Sequence, residues 1–171
     1  MMQTIRIVLD RVTGGLCVAL LSAMIAIITW QVFSRYALND PSTFSEESLR
    51  FLVIWLSLIG SAYVAGQNKH MSMDLLKEFL GDKAKQRLQI LIQLIFIAFA
   101  VAVLIVGGMH AVTIAASQKT AVLQLPMSLI YAALPVSGVL TVVYALLNLV
   151  DAVLGGPTPE PAVDQNSVMG E

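Results

Sequence analysis

Hydrophobic residues fill four long stretches of this chain, and the charged residues gather between them. Asp, Glu, Lys and Arg are absent from residues 12–34, 51–68, 88–118 and 120–150. About 20 apolar residues in a helix cross the ~30 Å hydrocarbon core of a bilayer. None of the stretches carries the polar face that a water-soluble helical bundle needs on its outside. The pattern predicts an all-α integral membrane protein with four transmembrane helices, at about 12–35, 47–67, 86–110 and 126–152.

The composition agrees with a membrane location, because 57% of the 171 residues are hydrophobic, 12% are charged and the mean hydropathy is +0.81. Arg6 and Arg11, before the first apolar stretch, resemble the start of a signal peptide. That stretch is longer than the roughly 7–15 apolar residues of a signal peptide, and no clear small-x-small cleavage site precedes Trp30. We therefore expect the first stretch to be retained as a transmembrane helix.

Basic residues mark one side of the predicted bundle. Two precede the first helix, and the connection between the second and third helices holds Lys69, Lys77, Lys83, Lys85 and Arg87. An excess of lysine and arginine marks cytoplasmic loops. The sequence thus predicts an N-in/C-in topology, with residues 35–50 and 111–125 outside and residues 67–87 inside. No nucleic-acid partner is expected, because lipid headgroups and water can solvate these basic side chains at the membrane surface.

The inner connection has an amphipathic pattern of its own. Apolar residues recur at helical spacing at Met71, Leu75, Leu76, Phe79 and Leu80. A short amphipathic helix lying on the cytoplasmic membrane surface, at about 71–80, fits this pattern. Beyond residue 154 the chain is too poor in apolar residues to fold alone. We therefore expect one transmembrane domain over residues 1–154 and a disordered cytoplasmic tail over residues 155–171.

Three ionisable residues, Glu46, Glu47 and Arg50, stand at the outer edge of the second predicted helix. Thr43 and Glu46 have the spacing of a capping box, so we expect the helix to begin near Thr43. Both glutamates precede Arg50 at the spacing of helical ion pairs. An unpaired guanidinium inside the membrane boundary is costly, so Arg50 should meet a carboxylate. Two interpretations remain open: pairing within this chain, or a contact surface for another subunit that also includes Arg35.

The second predicted helix also carries candidates for helix contact. Ser57, Gly60 and Ser61 share one face, which lets a neighbouring helix approach closely, whether that helix is internal or foreign. Trp55 is an interfacial aromatic by type, but it lies a turn deeper than the headgroups and is a further candidate for packing against a partner.

Prolines and glycines shape the third and fourth predicted helices. Pro126 stands where a proline is tolerated at the first helical position, and Pro135 falls inside the helix. A proline there removes a backbone hydrogen bond, so we expect a bend. Gly107 and Gly108, near the outer end of the third helix, indicate a bend or close packing.

Transporters place ionisable residues or broken helices near the bilayer midplane to bind their cargo, and the centres of these predicted helices contain no such residues. The polar exceptions are predicted to make packing hydrogen bonds rather than to line a solute pathway: Gln31, Ser57, Ser61, Gln93, Thr141 and Asn148. His70 and His110 fall on opposite membrane faces and cannot share a metal or haem. Phosphate-binding, Cys-x-x-Cys and HExxH motifs are absent from the sequence. The sequence therefore predicts no enzyme activity, catalytic residue, cofactor or metal.

Several short motifs occur in an order that resembles a known family. They are Arg35-Tyr36, Glu46-Glu47-x-x-Arg50, Trp55, Gly60, "KHMSMDLL" with His70 and Asp74, and "LQLPMSLIYAALPVSGVL" with Pro126 and Pro135. Together they make residues 15–150 resemble the small, DctQ-type membrane subunit of TRAP transporters, the tripartite ATP-independent periplasmic uptake systems.

The resemblance implies a sodium-coupled symporter of the bacterial inner membrane that imports an organic acid, such as a C4-dicarboxylate or a sialic acid. A periplasmic binding protein would deliver the acid, and a large elevator-type subunit would carry the substrate and sodium sites. The small subunit would scaffold the large one and help to dock the binding protein. The predicted partner interface comprises Arg35, Glu46, Glu47, Arg50, Trp55, Ser57, Gly60 and Ser61, and the structural positions are His70, Asp74, Pro126 and Pro135.

Two other functions fit a small four-helix membrane protein. A compact proton-coupled exporter needs an acidic residue in the membrane, normally in its first helix, and residues 12–34 contain none. An accessory anchor or assembly subunit of another membrane complex is excluded less firmly, because binding surfaces leave few signatures in a sequence.

Overall fold

The computed structural model describes residues 2–38, 42–67 and 82–154. In these residues the chain forms four long helices. The first helix is Met2–Ala37 and the second is Thr43–Gly66.

The third and fourth helices are each built from segments. The third helix runs as an α-helix over Asp82–Phe99, a π-helix over Ala100–Gly107 and an α-helix over Gly108–Ala115. The fourth helix consists of one turn, Ser128–Tyr131, followed by the long segment Ala133–Leu154. An irregular connection, residues 116–127, joins the two helices.

Each of the four helices is long and apolar enough to cross a membrane, which confirms an all-helical protein with several spans. The first helix begins at Met2 rather than near residue 12, because hydropathy marks the edge of the apolar stretch and backbone hydrogen bonding continues beyond it. The predicted interfacial helix at 71–80 and the tail at 155–171 lie outside the described residues. The N-in/C-in orientation and the division at residue 154 remain predictions.

The fourth helix occupies the centre of the bundle. It packs against the second helix on one side and the third on another, while the first helix packs mainly against the second. Alanines, among them Ala62, Ala133 and Ala145, make up most of the buried apolar side chains, and Ile59 and Tyr144 are the largest. Small side chains let backbones approach closely, which favours helix association in a bilayer.

Two glycines bring the third and fourth helices into direct contact. A methyl group on Gly138 would lie 2.8 Å from Cβ of Leu104 and 2.9 Å from Cγ1 of Ile105. A methyl group on Gly108 would lie 2.9 Å from Cδ of Pro135. Neither position has room for a larger residue without movement of a helix, so the close packing expected at Gly108 is confirmed.

The fourth helix is interrupted one turn before Pro135. The first helical turn ends at Tyr131, and the long segment begins at Ala133. Because proline has no N–H, the carbonyl four residues before it, on Tyr131, loses its helical donor. Ala132 itself keeps helical dihedral angles (φ −60°, ψ −21°), and its N–H donates to the Ser128 carbonyl at 2.9 Å. The bend expected from Pro135 therefore stays a prediction.

The surface of the described helices is strongly apolar. In the first helix, Val12, Val18, Ile25 and Phe33 expose 63%, 65%, 58% and 54% of their area. Soluble monomers rarely show apolar surface this extensive. Lipid chains or apolar partner helices have to cover it.

Candidate functional site

Glu47 fastens the 116–127 connection to the second helix. Its carboxylate oxygen Oε2 accepts hydrogen bonds from the backbone N–H groups of Val122, at 3.0 Å, and Leu123, at 2.9 Å. Hydrogen bonds to a charged acceptor are shorter and stronger than hydrogen bonds between neutral groups. Glu47 thus holds the connection in place through two charge-assisted bonds.

The connection is a compact loop with its own backbone bonds. Lys119 and Pro126 pair in an antiparallel bridge. The Thr120 N–H donates to the Leu125 carbonyl at 2.9 Å, and the Leu125 N–H donates to the Thr120 hydroxyl at 3.1 Å. Gln124 has a φ of 53°, in the left-handed region that completes the tight turn. Glu47 therefore docks onto a closed loop.

Pro126 does not occupy the first position of the fourth helix, so that prediction is wrong. The helix begins at Ser128, and Met127 is its capping residue. Pro126 lies in the bridge to Lys119, where its missing N–H costs no helical hydrogen bond. The neighbouring Met127 N–H supplies the cross-loop bond instead, to the Gln118 carbonyl at 2.9 Å.

The second helix begins where the sequence predicts, but with a different cap. Thr43 is its first residue, and Ser42, the N-cap, makes no side-chain capping bond. The Ser42 hydroxyl instead accepts a hydrogen bond from the Ser45 hydroxyl at 2.8 Å. The predicted Thr43–Glu46 capping box is wrong, because Thr43 already lies inside the helix.

Arg50 does not form the predicted helical ion pairs. The ion pair that the described residues form is between Arg6 and Asp151, in the first and fourth helices. Neither Glu46 nor Glu47 lies within salt-bridge distance of Arg50. Glu46 and Arg50 are both exposed, whereas Glu47 is half-buried. Glu47 is therefore engaged within this chain, but by backbone amides that were not predicted and not by Arg50. Glu46 and Arg50 remain accessible to another molecule.

Beside these charges runs an open groove of about 580 Å³. We call it the outer groove. The second helix forms one wall with Phe51, Ile54 and Leu58. The 116–127 connection and the start of the fourth helix form the other wall, with Thr120, Ala121, Val122, Met127, Ile130, Tyr131 and Leu134. The groove is therefore apolar along its length, and Thr43, Glu46, Glu47 and Arg50 stand at its mouth.

A second accessible surface is the small-residue face, which we define by Ser57, Gly60 and Ser61. Ser57 and Ser61 are exposed, and a methyl group on Gly60 would meet no atom within 4 Å. Val53 and Val64, 45% and 56% exposed, extend this face along the helix. None of the described helices of this chain packs on Gly60, so the close approach that the face permits is left for another molecule.

The remaining predicted interface residues lie apart from one another. Arg35 is exposed in the last turn of the first helix. Trp55 is half-buried in the second helix. His70 and Asp74 lie outside the described residues, so the structural roles predicted for them stay predictions.

Of the polar residues predicted to join helices, Asn148 does so. Its side-chain oxygen accepts a hydrogen bond from Arg6 at 3.0 Å. Ser61 and Thr141 donate instead to backbone carbonyls of their own helices, at 2.9 and 2.8 Å. A hydroxyl in a helix readily reaches a carbonyl one turn back, and this local bond satisfies it. Neither hydroxyl therefore joins two helices of this chain through the bond that it donates.

Sequence reasoning misses a polar cluster at the opposite end of the bundle, centred on Arg6. The guanidinium donates to the Asp151 carboxylate at 2.7 Å, to the Asn148 side-chain oxygen at 3.0 Å and to the Gly66 carbonyl at 2.9 Å. These bonds tie the first helix to both the second and the fourth. The signal in the sequence is weak, because it shows charges at the ends of two apolar stretches but not which stretches are neighbours.

Tyr144 fills the space beside this cluster and is 1% exposed. Its ring lies against Gly66, where a methyl group would overlap it. Gly66 thus has two roles: its backbone oxygen accepts from Arg6, and its missing side chain admits the ring. The Arg6 cluster and the Tyr144 ring thus pack three helices together at this end of the bundle.

The accessible surfaces are suited to contact rather than to chemistry. The outer groove offers apolar side chains with charges at its mouth, and the small-residue face offers hydroxyls and an open glycine. In the described part of the chain, no three His, Cys, Asp or Glu side chains come together as metal ligands would.

Comparison with known proteins identifies the family. A family model described as "Tripartite ATP-independent periplasmic transporters, DctQ component" matches residues 24–155, well over half of the chain. The chain belongs to this DctQ family. It is 28% identical, over 96% of both chains, to the sialic acid TRAP transporter small permease protein SiaQ of Vibrio cholerae serotype O1. It is also 29% identical to a provisionally named TRAP transporter small permease protein of Haemophilus influenzae, over 44% of this chain and 47% of that one.

Membership of the DctQ family confirms the resemblance that the sequence motifs indicate. The chain is a permease subunit of a transporter and not an enzyme. Its four apolar helices and its family indicate a multi-pass protein of the bacterial inner membrane. A tripartite system implies two further components, a large membrane subunit and a periplasmic binding protein.

Proposed function

We propose that this DctQ-family protein is the small permease subunit of a sodium-coupled TRAP transporter that imports an organic acid, delivered by a periplasmic binding protein. In this role it carries no substrate site of its own. It scaffolds the large elevator-type subunit and helps to dock the binding protein. The full-length similarity to a sialic acid TRAP small permease supports a sialic acid as cargo, ahead of a C4-dicarboxylate.

The packing of the described helices supports a scaffolding role. The fourth helix is held on both sides by close contacts at Gly138 and Gly66, where any side chain would collide. The Arg6 cluster adds polar bonds among three helices. A subunit that stays fixed while its partner moves needs such rigid internal contacts, because interdigitated interiors deform little.

The small-residue face is the surface we assign to the large subunit. Its exposed hydroxyls and open glycine allow a foreign helix to approach to short distance, where van der Waals contact drives association in lipid. Arg35, exposed at the end of the first helix, is assigned to the binding protein, since a charged rim steers encounter with a soluble partner. The observation that carries the proposal is the open space at Gly60.

The experiment compares Gly60→Leu with Gly15→Leu. Both glycines have no atom within 4 Å of an added methyl group, so the first carbon of either leucine side chain meets no internal clash. We expect Gly60→Leu to lower co-purification of the large subunit about tenfold. A tenfold loss corresponds to about 1.4 kcal/mol of binding free energy. Gly15→Leu should leave it unchanged. Equal yields for both variants would remove the small-residue face from the interface.

Uptake by proteoliposomes tests the rest of the proposal. The chain, the large subunit and the binding protein are reconstituted with an inward sodium gradient, and uptake of a sialic acid and of a C4-dicarboxylate is measured. We expect sialic acid uptake that needs both the gradient and the small subunit. Full uptake by the large subunit without this chain would contradict the scaffolding role.

A further inference from the structure

The outer groove is lined by apolar walls that run from the start of the second helix along its apolar part. Its wall on the second helix extends from Arg50 through Ile54 to Leu58. The eight helical rises from Arg50 to Leu58, at 1.5 Å each, give a length of about 12 Å, which is over a third of the ~30 Å hydrocarbon core. The groove therefore reaches from the charged end of the second helix into the apolar part of a helix that is long enough to cross a membrane.

The mouth of the groove carries two opposite charges with free access. Glu46 and Arg50 are exposed and stand one helical turn apart, with side-chain origins about 6 Å from each other. Neither forms an ion pair with another residue in the described part of the chain. Glu47, the third charge at the mouth, is occupied by the amides of Val122 and Leu123.

We propose that the outer groove binds one phospholipid with a phosphoethanolamine headgroup. Arg50 holds the phosphate, for which a guanidinium has matching geometry and charge. Glu46, one turn nearer the helix end, holds the ammonium group. One acyl chain lies along Phe51, Ile54 and Leu58, against the apolar wall of the fourth helix.

The pair of charges selects this headgroup over an anionic one. A lipid that carries only a phosphate would satisfy Arg50 and leave Glu46 facing negative charge. A zwitterionic headgroup can pair with both side chains. Its phosphate and its ammonium group are separated from each other, as Glu46 and Arg50 are separated by one helical turn. The wall formed by the 116–127 connection is fixed by Glu47, so the site is shaped before the lipid arrives.

The proposal is independent of the proposed function, because every residue of the site belongs to this chain. The lipid would fill an open groove beside the small-residue face and extend the surface of the fixed subunit. A failure of the lipid experiment would leave the scaffolding role standing, and the reverse also holds.

The test uses the full-length chain in nanodiscs made from equal amounts of phosphatidylethanolamine and phosphatidylglycerol. The protein is released into mild detergent, and retained lipids are counted by native mass spectrometry. We expect one retained phosphatidylethanolamine for the wild type. Arg50→Gln should lower retention of either lipid about tenfold, the effect of losing a charge-assisted bond. Glu46→Gln should keep a lipid but abolish the preference for phosphatidylethanolamine.

Two controls keep the test decisive. Arg35→Gln removes the same charge from the same end of the bundle, outside the groove, and should retain lipid as the wild type does. Ile54→Trp narrows the groove between its two apolar walls without changing a charge, and it should lower retention of both lipids. Equal retention by Arg50→Gln, Ile54→Trp and the wild type would overturn the proposal, as would a preference for phosphatidylglycerol. Occupation of the groove by a segment of the large subunit, seen as cross-links from position 54 in the complex, would also overturn it.

Discussion

The guanidinium of Arg6 donates to the carboxylate of Asp151 at 2.7 Å, which joins the two ends of the described chain across 145 positions of sequence. The Arg6 side chain is 17% exposed and that of Asp151 is 42% exposed. The pair is therefore partly shielded from water. It fixes the first helix, which otherwise packs mainly along the second, to the fourth helix as well.

Removing Arg6 should destabilise the bundle. Arg6→Ala leaves Asp151, Asn148 and the Gly66 carbonyl without their donor, and we expect a loss of about 1–3 kcal/mol. Thermal unfolding in detergent, followed by circular dichroism, measures it. Arg11→Ala is the matched control, because Arg11 is exposed on the same helix. A control variant that melts as early as Arg6→Ala would refute a special role for the cluster.

Adding one methyl group at Gly66 should be costly. In Gly66→Ala the new atom overlaps the ring of Tyr144, which is 1% exposed and packed against its neighbours. Overpacking of this kind costs about 1–3 kcal/mol. Gly15→Ala, where the new atom has open space, should be neutral or slightly stabilising, because alanine favours helices. Denaturant titration of both variants gives the comparison, and a neutral Gly66→Ala would show that the Tyr144 ring can move.

The Gly138 contact predicts a similar contrast between the third and fourth helices. Gly138→Ala places an atom 2.8 Å from Leu104 Cβ, whereas Gly107→Ala has its nearest neighbour at 3.7 Å, the carbonyl oxygen of Ala102. We expect Gly138→Ala to lower the melting temperature in detergent, and Gly107→Ala to leave it near the wild type. The same melting temperature for both would mean that the helices separate without cost.

Glu47→Ala should free the 116–127 connection. The amides of Val122 and Leu123 lose their acceptor, so their hydrogen exchange should become faster by about tenfold or more. Exchange mass spectrometry of a peptide covering the connection measures this change. Glu46→Ala removes a neighbouring carboxylate that makes no such bond and should exchange as the wild type does. Unchanged exchange in Glu47→Ala would show that the loop holds itself.

Cysteine labelling tests the predicted orientation. In a Cys17→Ser background, a cysteine at Gln118 should react with an impermeant maleimide added outside, and a cysteine at Asn68 only after the inner face is opened. The basic residues that follow the second helix are the physical reason. The reverse pattern would overturn the N-in/C-in topology.

The sequence predicts the number of long apolar helices because lipid imposes a length and a composition on each of them. The second helix begins at Thr43, as predicted. The glycine pair at 107 and 108 left a bend and close packing open, and the structure shows close packing at Gly108 only.

The long-range bonds could not be predicted in the same way. Glu47 was a candidate for Arg50, its neighbour along the helix, but it binds amides of a loop distant in sequence. That choice depends on how the loop closes, which rests on the bridge between Lys119 and Pro126. The outer groove likewise exists only because this loop stands beside the second helix.

The π-helical stretch Ala100–Gly107 has a consequence for how the third helix can vary. A π-helix has more residues per turn than an α-helix. This stretch therefore contains roughly one residue more than an α-helix would need for the same rotation. The flanking segments keep the angular phase that points Gly108 at Pro135. Loss of a single residue within the stretch should therefore be absorbed as regular α-helix, whereas the same deletion after Gly108 would turn every following contact away from the fourth helix.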